Sequence, residues 1–219
     1  MRWEERQGIR WLAADLPGAQ AAFSTRSAGS MKESHAPMAT ALGISPDSIV
    51  SGHQVHGCEL AVHAAPSTET PEVDGHVLSA PGPTGLVYAA DCLPVAVAGP
   101  RGAAILHCGW RGLAAGIVAR GCAAVAATHA AIGPGIGPCC YEVGEEVLDA
   151  FGRLGDGIAS NRMLDLSEVT RRLLCEAEVE QVESAGLCTR CEAELFFSHR
   201  RDGGPGRQAG LVWLEREAG

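Results

Sequence analysis

From Thr84 to Thr128 the chain is strongly apolar, yet Asp91, Arg101, His107, Arg111 and Arg120 interrupt it. No clean segment of the length a bilayer needs remains, so the run reads as protein interior. Two of its pieces, GLVYAADCLPVAVAG and AAILHCG, have strand composition and are joined by the turn Gly99-Pro100-Arg101-Gly102. Pro94 lacks the ladder donor, which predicts an edge position, a bulge or a break immediately after Cys92. The run LAAGIVARGCAAVAATHA after Gly112 predicts a helix, with Gly116 and Gly121 allowing close approach at some cost in helix stability.

The flanking sequence predicts a mixed α/β chain. IRWLAADL and QAAFSTRSAGS read as strands, Met31 to Leu42 as a short helix ended by Gly43, and CELAVHAA as a strand before the exposed loop STETPEVDG. GPGIGPCC is a stiff loop, EVGEEVLDAF a short helix, and SEVTRRLLCEAE a helix capped by Ser167. A strand around VEQVES and two terminal strands, ELFFSHR and AGLVWLE, complete the pattern. With 46% apolar residues and 28 glycines among 219 residues, one core of Ala, Val and Leu with many tight turns is expected, as one domain over 1–219.

A net charge of -9 argues against nucleic-acid or anionic-membrane partners and points to a small ligand. The opening MRWEERQGIRW has early acidic residues and no apolar core, so no secretory signal is expected. Nine cysteines, an odd number without secretory context, fit a reduced cytoplasmic setting. Cys122 and Cys175 are expected to be buried hydrophobes.

Three segments each carry a potential metal ligand near a strand end: His56 in HQVHG, Cys92 in ADCLP and His107 in LHCGWRG. Two imidazoles and a thiolate suit zinc and leave a fourth position for water or substrate. The same residues would also serve a Cys-His hydrolase with Cys92 as nucleophile and His107 or His56 as base. CTRC, from Cys188 to Cys191, has knuckle spacing, but no second pair is spaced to complete a four-cysteine site. Adjacent Cys139 and Cys140 would point apart if extended, making them poor joint ligands. Arg26, Arg111, Arg200 and Arg201 lie in loop-like settings suited to clamping an anion, Arg111 foremost because it follows the His107 segment between Gly109 and Gly112.

QVHG, ADCLPV, HCGWRG, GPGIGPCCYEVG, the LDL at Leu164 to Leu166 and LCTRCEAELFFSHRRDGGPGRQAG together resemble the laccase-domain family. That family, long labelled multicopper polyphenol oxidase, is now associated with purine nucleoside phosphorylase and adenosine deaminase activities. The resemblance covers nearly the whole chain and implies one layered domain of mixed sheets flanked by helices, with a cysteine-hydrolase-like architecture. It places the metal ligands on His56, Cys92 and His107, and makes His53 and Gln54 pocket-lining residues. It puts the early arginine on Arg26, with Arg111 and Arg200 in the same anion-binding neighbourhood. Asp91, next to Cys92, is the candidate proton-transfer residue. The implied activity is zinc-dependent phosphorolysis of purine nucleosides such as adenosine or inosine, with adenosine deamination and methylthioadenosine phosphorolysis beside it, by a monomer or homodimer. Copper-dependent phenol oxidation and a metal-stabilised interaction domain are the alternatives. One departure stands out: the loop after Arg26 is shorter than the family's usual one.

Overall fold

The computed structural model describes residues 1–216. In chain order its strands are β1 (Arg2–Arg6), β2 (Ile9–Leu16), β3 (Ala19–Ser24), β4 (Ile49–Val50), β5 (Leu60–His63), β6 (Gly75–Leu78), β7 (Thr84–Ala89), β8 (Leu93–Gly99), β9 (Gly102–Cys108), β10 (His129–Ile132), β11 (Ala159–Ser160), β12 (Met163–Leu164), β13 (Gln181–Ser184) and β14 (Gln208–Leu214). The α-helices are α1 (Ala36–Leu42), α2 (Trp110–Ala114), α3 (Ile117–Val125), α4 (Glu145–Phe151), α5 (Leu166–Glu176) and α6 (His199–Asp202).

Two six-stranded mixed sheets dominate, in the orders β1-β2-β3-β14-β7-β4 and β13-β10-β8-β9-β6-β5. Alanine sets how they meet. Ala14, Ala19, Ala21, Ala96, Ala98, Ala103 and Ala131 lie in the layer between them with Phe23, Ile105 and Val212. Small side chains let the sheets approach, and at Gly210 an added Cβ would stand 2.5 Å from the Cβ of Pro94. The outer face of the second sheet is covered by Leu113, Ile117, Val147, Phe151, Leu166 and Val169, from α2 to α5. Met38 and Ala41 of α1 cover the outer face of the first. The result is four layers, helix, sheet, sheet, helices, in which each fully buried Leu, Ile or Phe contributes about 1.5–3 kcal/mol.

Several expectations change here for local reasons. GLVYAADCLPVAVAG is two strands in different sheets, because the chain crosses from β7 to β8 through Ala90-Asp91-Cys92. Pro94 therefore sits inside central β8, tolerated because its carbonyl accepts the Gly133 N–H and its nitrogen, facing the same side, lies beyond the end of β10. The long helix after Gly112 is α2 and α3, separated at Gly116 with φ of 91°, and its tail THA turns into β10. Asp165, not Ser167, caps α5 by accepting the Glu168 N–H. ELFFSHR is no strand: Phe196 N–H donates back to Glu192 O in a turn, and Ser198 caps α6. Cys175 is exposed, while Cys122 is buried as expected.

Candidate active site

The loop GHQVHG leaves β4 and is shaped by one carboxylate. The Asp74 Oδ2 atom accepts the N–H groups of Val55 (3.1 Å) and Gly57 (2.8 Å), and Oδ1 accepts that of His56 (3.0 Å). Curling three amides around one side chain holds His56 at φ of 62°, a left-handed conformation uncommon outside glycine. Oδ1 also accepts a bond from His107 Nδ1 at 2.8 Å. Asp74 is fully buried and neighbouring Val73 is buried, so the end of STETPEVDG is interior and not exposed loop. Burial alone would raise the Asp74 pKa, but the bonds from His107, Gly57 and Val55 outweigh it and hold the carboxyl ionised below its ordinary range. The acid directly ahead of the apolar HVL strand was the available signal for this residue.

His107 ends β9 and Cys92 precedes β8, so the β8–β9 ladder, which pairs Pro94 with His107, sets them side by side. With Nδ1 committed to Asp74, His107 turns Nε2 toward the thiol, the arrangement that orients a metal-binding imidazole. The His56 ring meets the His107 ring edge-on, with centroids 4.8 Å apart. Ligand atoms of His56, Cys92 and His107 all lie within 4.8 Å of one another. Burial opposes charge on Cys92, yet His107 and then His56 bring its thiol down to about 6. Burial likewise opposes the His107 proton, and Cys92 and Asp74 raise that imidazole to about 9. A thiolate held against an imidazolium is a site that a divalent cation enters by displacing one proton. Gly109 leaves room for it, since a Cβ there would stand 3.0 Å from Cys92 Sγ and 3.2 Å from His56 Cδ2. The donor set thus fits zinc, with three protein ligands of the catalytic kind.

A cavity of about 420 Å³ opens beside the trio, within the range of small-molecule sites. His53, Gln54, Asp91 and Arg200 line it together with all three candidate ligands. Gln54 is pinned, its amide exchanging two hydrogen bonds with the backbone of Tyr88. Asp91, at φ of 91°, accepts the Thr189 hydroxyl and the Arg200 N–H at 2.7 Å each, so its carboxylate fixes the wall that carries Arg200. Arg26 and Arg111 are not among the lining residues. Arg26 donates to Phe196 O and the Asp202 carboxylate and lies over the Phe197 ring, whereas Arg111 lies over Trp110. In their place Lys32 and Arg207 join Arg200, and Tyr88, Tyr141 and Leu166 supply apolar wall. Lys32 and Arg207 escaped sequence reasoning because nothing in their flanking residues marks a ligand contact.

The profile of a family described as multi-copper polyphenol oxidoreductase laccase matches residues 23–215. The chain belongs to that family. It is 35% identical to a protein of Escherichia coli strain K12 named purine nucleoside phosphorylase YfiH, over 80% of this chain and 77% of the relative. A Xylella fastidiosa purine nucleoside phosphorylase is 37% identical over 74% and 70% of the two chains. Among solved structures, YlmD of Geobacillus stearothermophilus superposes with a TM-score of 0.82 at 26% identity, covering 98% of this chain and 99% of that one. A Neisseria meningitidis protein gives 0.79 at 28%, covering 94% and 99%. The sequence match to the Geobacillus relative spans 265 positions, more than the 219 residues here, so this chain is the shorter of the two.

Proposed function

We propose that this chain is a zinc-dependent purine nucleoside phosphorylase. The observation that carries the reading is the juxtaposition of His56, Cys92 and His107 with a cavity whose walls hold three cations and two tyrosines. Relatives named purine nucleoside phosphorylase support the same class. A bound zinc supplies Lewis-acid polarisation of an oxygen in the cavity. Lys32, Arg200 and Arg207 would hold phosphate by charge-assisted hydrogen bonds and present one oxygen to C1′ of the sugar. As that C–O bond forms, the glycosidic C–N bond breaks and its electron pair leaves on the purine. His53, His199 and Asp91 line the cavity and are positioned to pass a proton to the departing base. Tyr88 and Tyr141 offer flat apolar surface for the purine. Hydrolytic deamination of adenosine, with water activated in the same cavity, is the accompanying activity, and methylthioadenosine fits the same requirements as adenosine.

Copper-dependent phenol oxidation is the competing reading, favoured by the family's description. Among the described residues the second potential ligand group is made of four cysteines, without the histidines a multicopper oxygen-reducing centre uses. Zinc-loaded protein incubated with inosine and phosphate should give hypoxanthine and ribose 1-phosphate by chromatography, and adenosine should give adenine with some inosine. Phosphate-independent base release, or a copper-loaded form that oxidises a phenol while the zinc form releases no base, sinks the proposal.

A further inference from the structure

Cys139 and Cys140 of GPCC and Cys188 and Cys191 of CTRC meet at one place, with all four sulfurs within 4.8 Å of one another. The expectation that adjacent cysteines point apart assumed extended backbone. Here the Cys140 and Tyr141 N–H groups both donate to Gly137 O, so residues 137–141 form a turn that lets both thiols converge. The partner segment is held alongside: Gly135 bridges to Cys188, and the Thr189 N–H donates to Gly135 O at 2.9 Å.

We propose that these four cysteines form a second, closed structural zinc site, distinct from His56, Cys92 and His107 and independent of the reaction proposed above. Cys191 Sγ lies 3.5 Å from both Cys139 Sγ and Cys140 Sγ. Four sulfurs around a tetrahedral zinc with bonds of about 2.3 Å stand about 3.8 Å apart, so with every pair already within 4.8 Å the cluster closes on an ion by changing no separation by more than about 1 Å. A disulfide would single out one pair, whereas Cys191 is equidistant from two. The surroundings suit thiolates. The Gly137 N–H donates to Cys188 Sγ at 3.2 Å, a hydrogen bond that favours the thiolate form. The Arg201 guanidinium donates to Thr189 O and Arg190 O across the CTRC turn, placing a cation beside the anionic cluster. An all-thiolate, four-ligand set is the kind zinc occupies structurally. Its place matters, because Tyr141 follows Cys140 directly and the Thr189 hydroxyl is tied to Asp91, so the ion would clamp two walls of the cavity.

The test is metal analysis with X-ray absorption on full-length protein purified with zinc. Native protein should hold about two zinc ions per chain, and Cys92→Ser protein should keep about one, with a shell of sulfur only at about 2.3 Å. The Cys188→Ser/Cys191→Ser variant should lose that all-sulfur shell while retaining the ion with nitrogen ligands. Because Cys92→Ser leaves the cluster untouched, the proposal stays testable if the double variant fails to fold. It is overturned if Cys92→Ser protein holds no zinc, if its zinc shows nitrogen or oxygen ligands, or if mass spectrometry finds the four thiols free or paired in a disulfide in zinc-loaded protein.

Discussion

Replacing Asp74 by Asn removes a charge while keeping shape, and the hydrogen-bond pattern around it sets the cost. The two carboxylate oxygens accept four hydrogen bonds, from His56, His107, Val55 and Gly57. Asparagine keeps one oxygen, so whichever way the amide turns, two of the four donors face an NH2 group. Hydrogen bonds to a charged acceptor contribute about 1.5–3 kcal/mol each, and Asp74 is fully buried, so no screening discount applies. The expected loss is about 3–6 kcal/mol, a large part of a stability of about 5–15 kcal/mol. The effect on metal is separable. If the amide oxygen stays on His107, the His56 loop loosens; if the NH2 group faces His107, the imidazole loses the bond that directs Nε2 to the site. Either outcome weakens zinc by about 10–100-fold. Urea unfolding of metal-free protein gives the first quantity and a competition titration with a chelator gives the second. A stability loss below about 1 kcal/mol together with zinc affinity within about twofold of native would refute the reasoning, since it would mean that the four bonds contribute little more than water would.

Three further outcomes are expected. Gly109→Ala places a methyl against Cys92 Sγ and His56 Cδ2, and overpacking of about 1–3 kcal/mol should appear as a fall in zinc affinity of about fivefold to a hundredfold, read by the same titration while circular dichroism stays native. Arg200→Ala should raise the KM for phosphate about tenfold or more with less effect on the KM for nucleoside, checked by steady-state kinetics beside thermal unfolding. Burial, then the neighbouring His63, lowers the His76 imidazole from 6.5 to about 4, so below pH 6.5 the unfolded chain binds a proton the native state refuses. Stability should therefore fall by up to about 3 kcal/mol between pH 6.5 and pH 4, and His76→Leu, which also removes the buried unpartnered Nε2, should flatten that slope in urea unfolding.

How much of the fold and site is legible in the sequence depends on the range of the interaction concerned. The strands β2, β9 and β14 and the helix ended by Gly43 are legible because composition and turn residues within a few positions decide them. His56, Cys92 and His107 are legible because their chemistry is unusual at strand ends. Asp74 is not, since its role depends on partners 17 to 33 residues away, brought together only by pairing of β6 with β9. Among the loop arginines Arg111 stands foremost in the sequence, yet which guanidinium reaches the cavity depends on where Asp202, Phe197 and Trp110 capture Arg26 and Arg111. The cysteine quartet was missed because a rule for extended chain was applied to a turn.

The crossing at Ala90-Asp91-Cys92 would give a metal held at this site a mechanical role. Cys92 introduces a strand of the second sheet, His107 closes another, and His56 hangs from the loop that leaves the edge strand of the first. An ion gripping all three would rivet the two sheets at one rim, at the end of an interface in which alanines interleave with Phe23, Ile105 and Val212. Bond lengths at the ion then become a gauge of inter-sheet shear. A bulkier side chain far from the rim, such as Ala98→Val, should therefore detune the centre without touching any of its ligands.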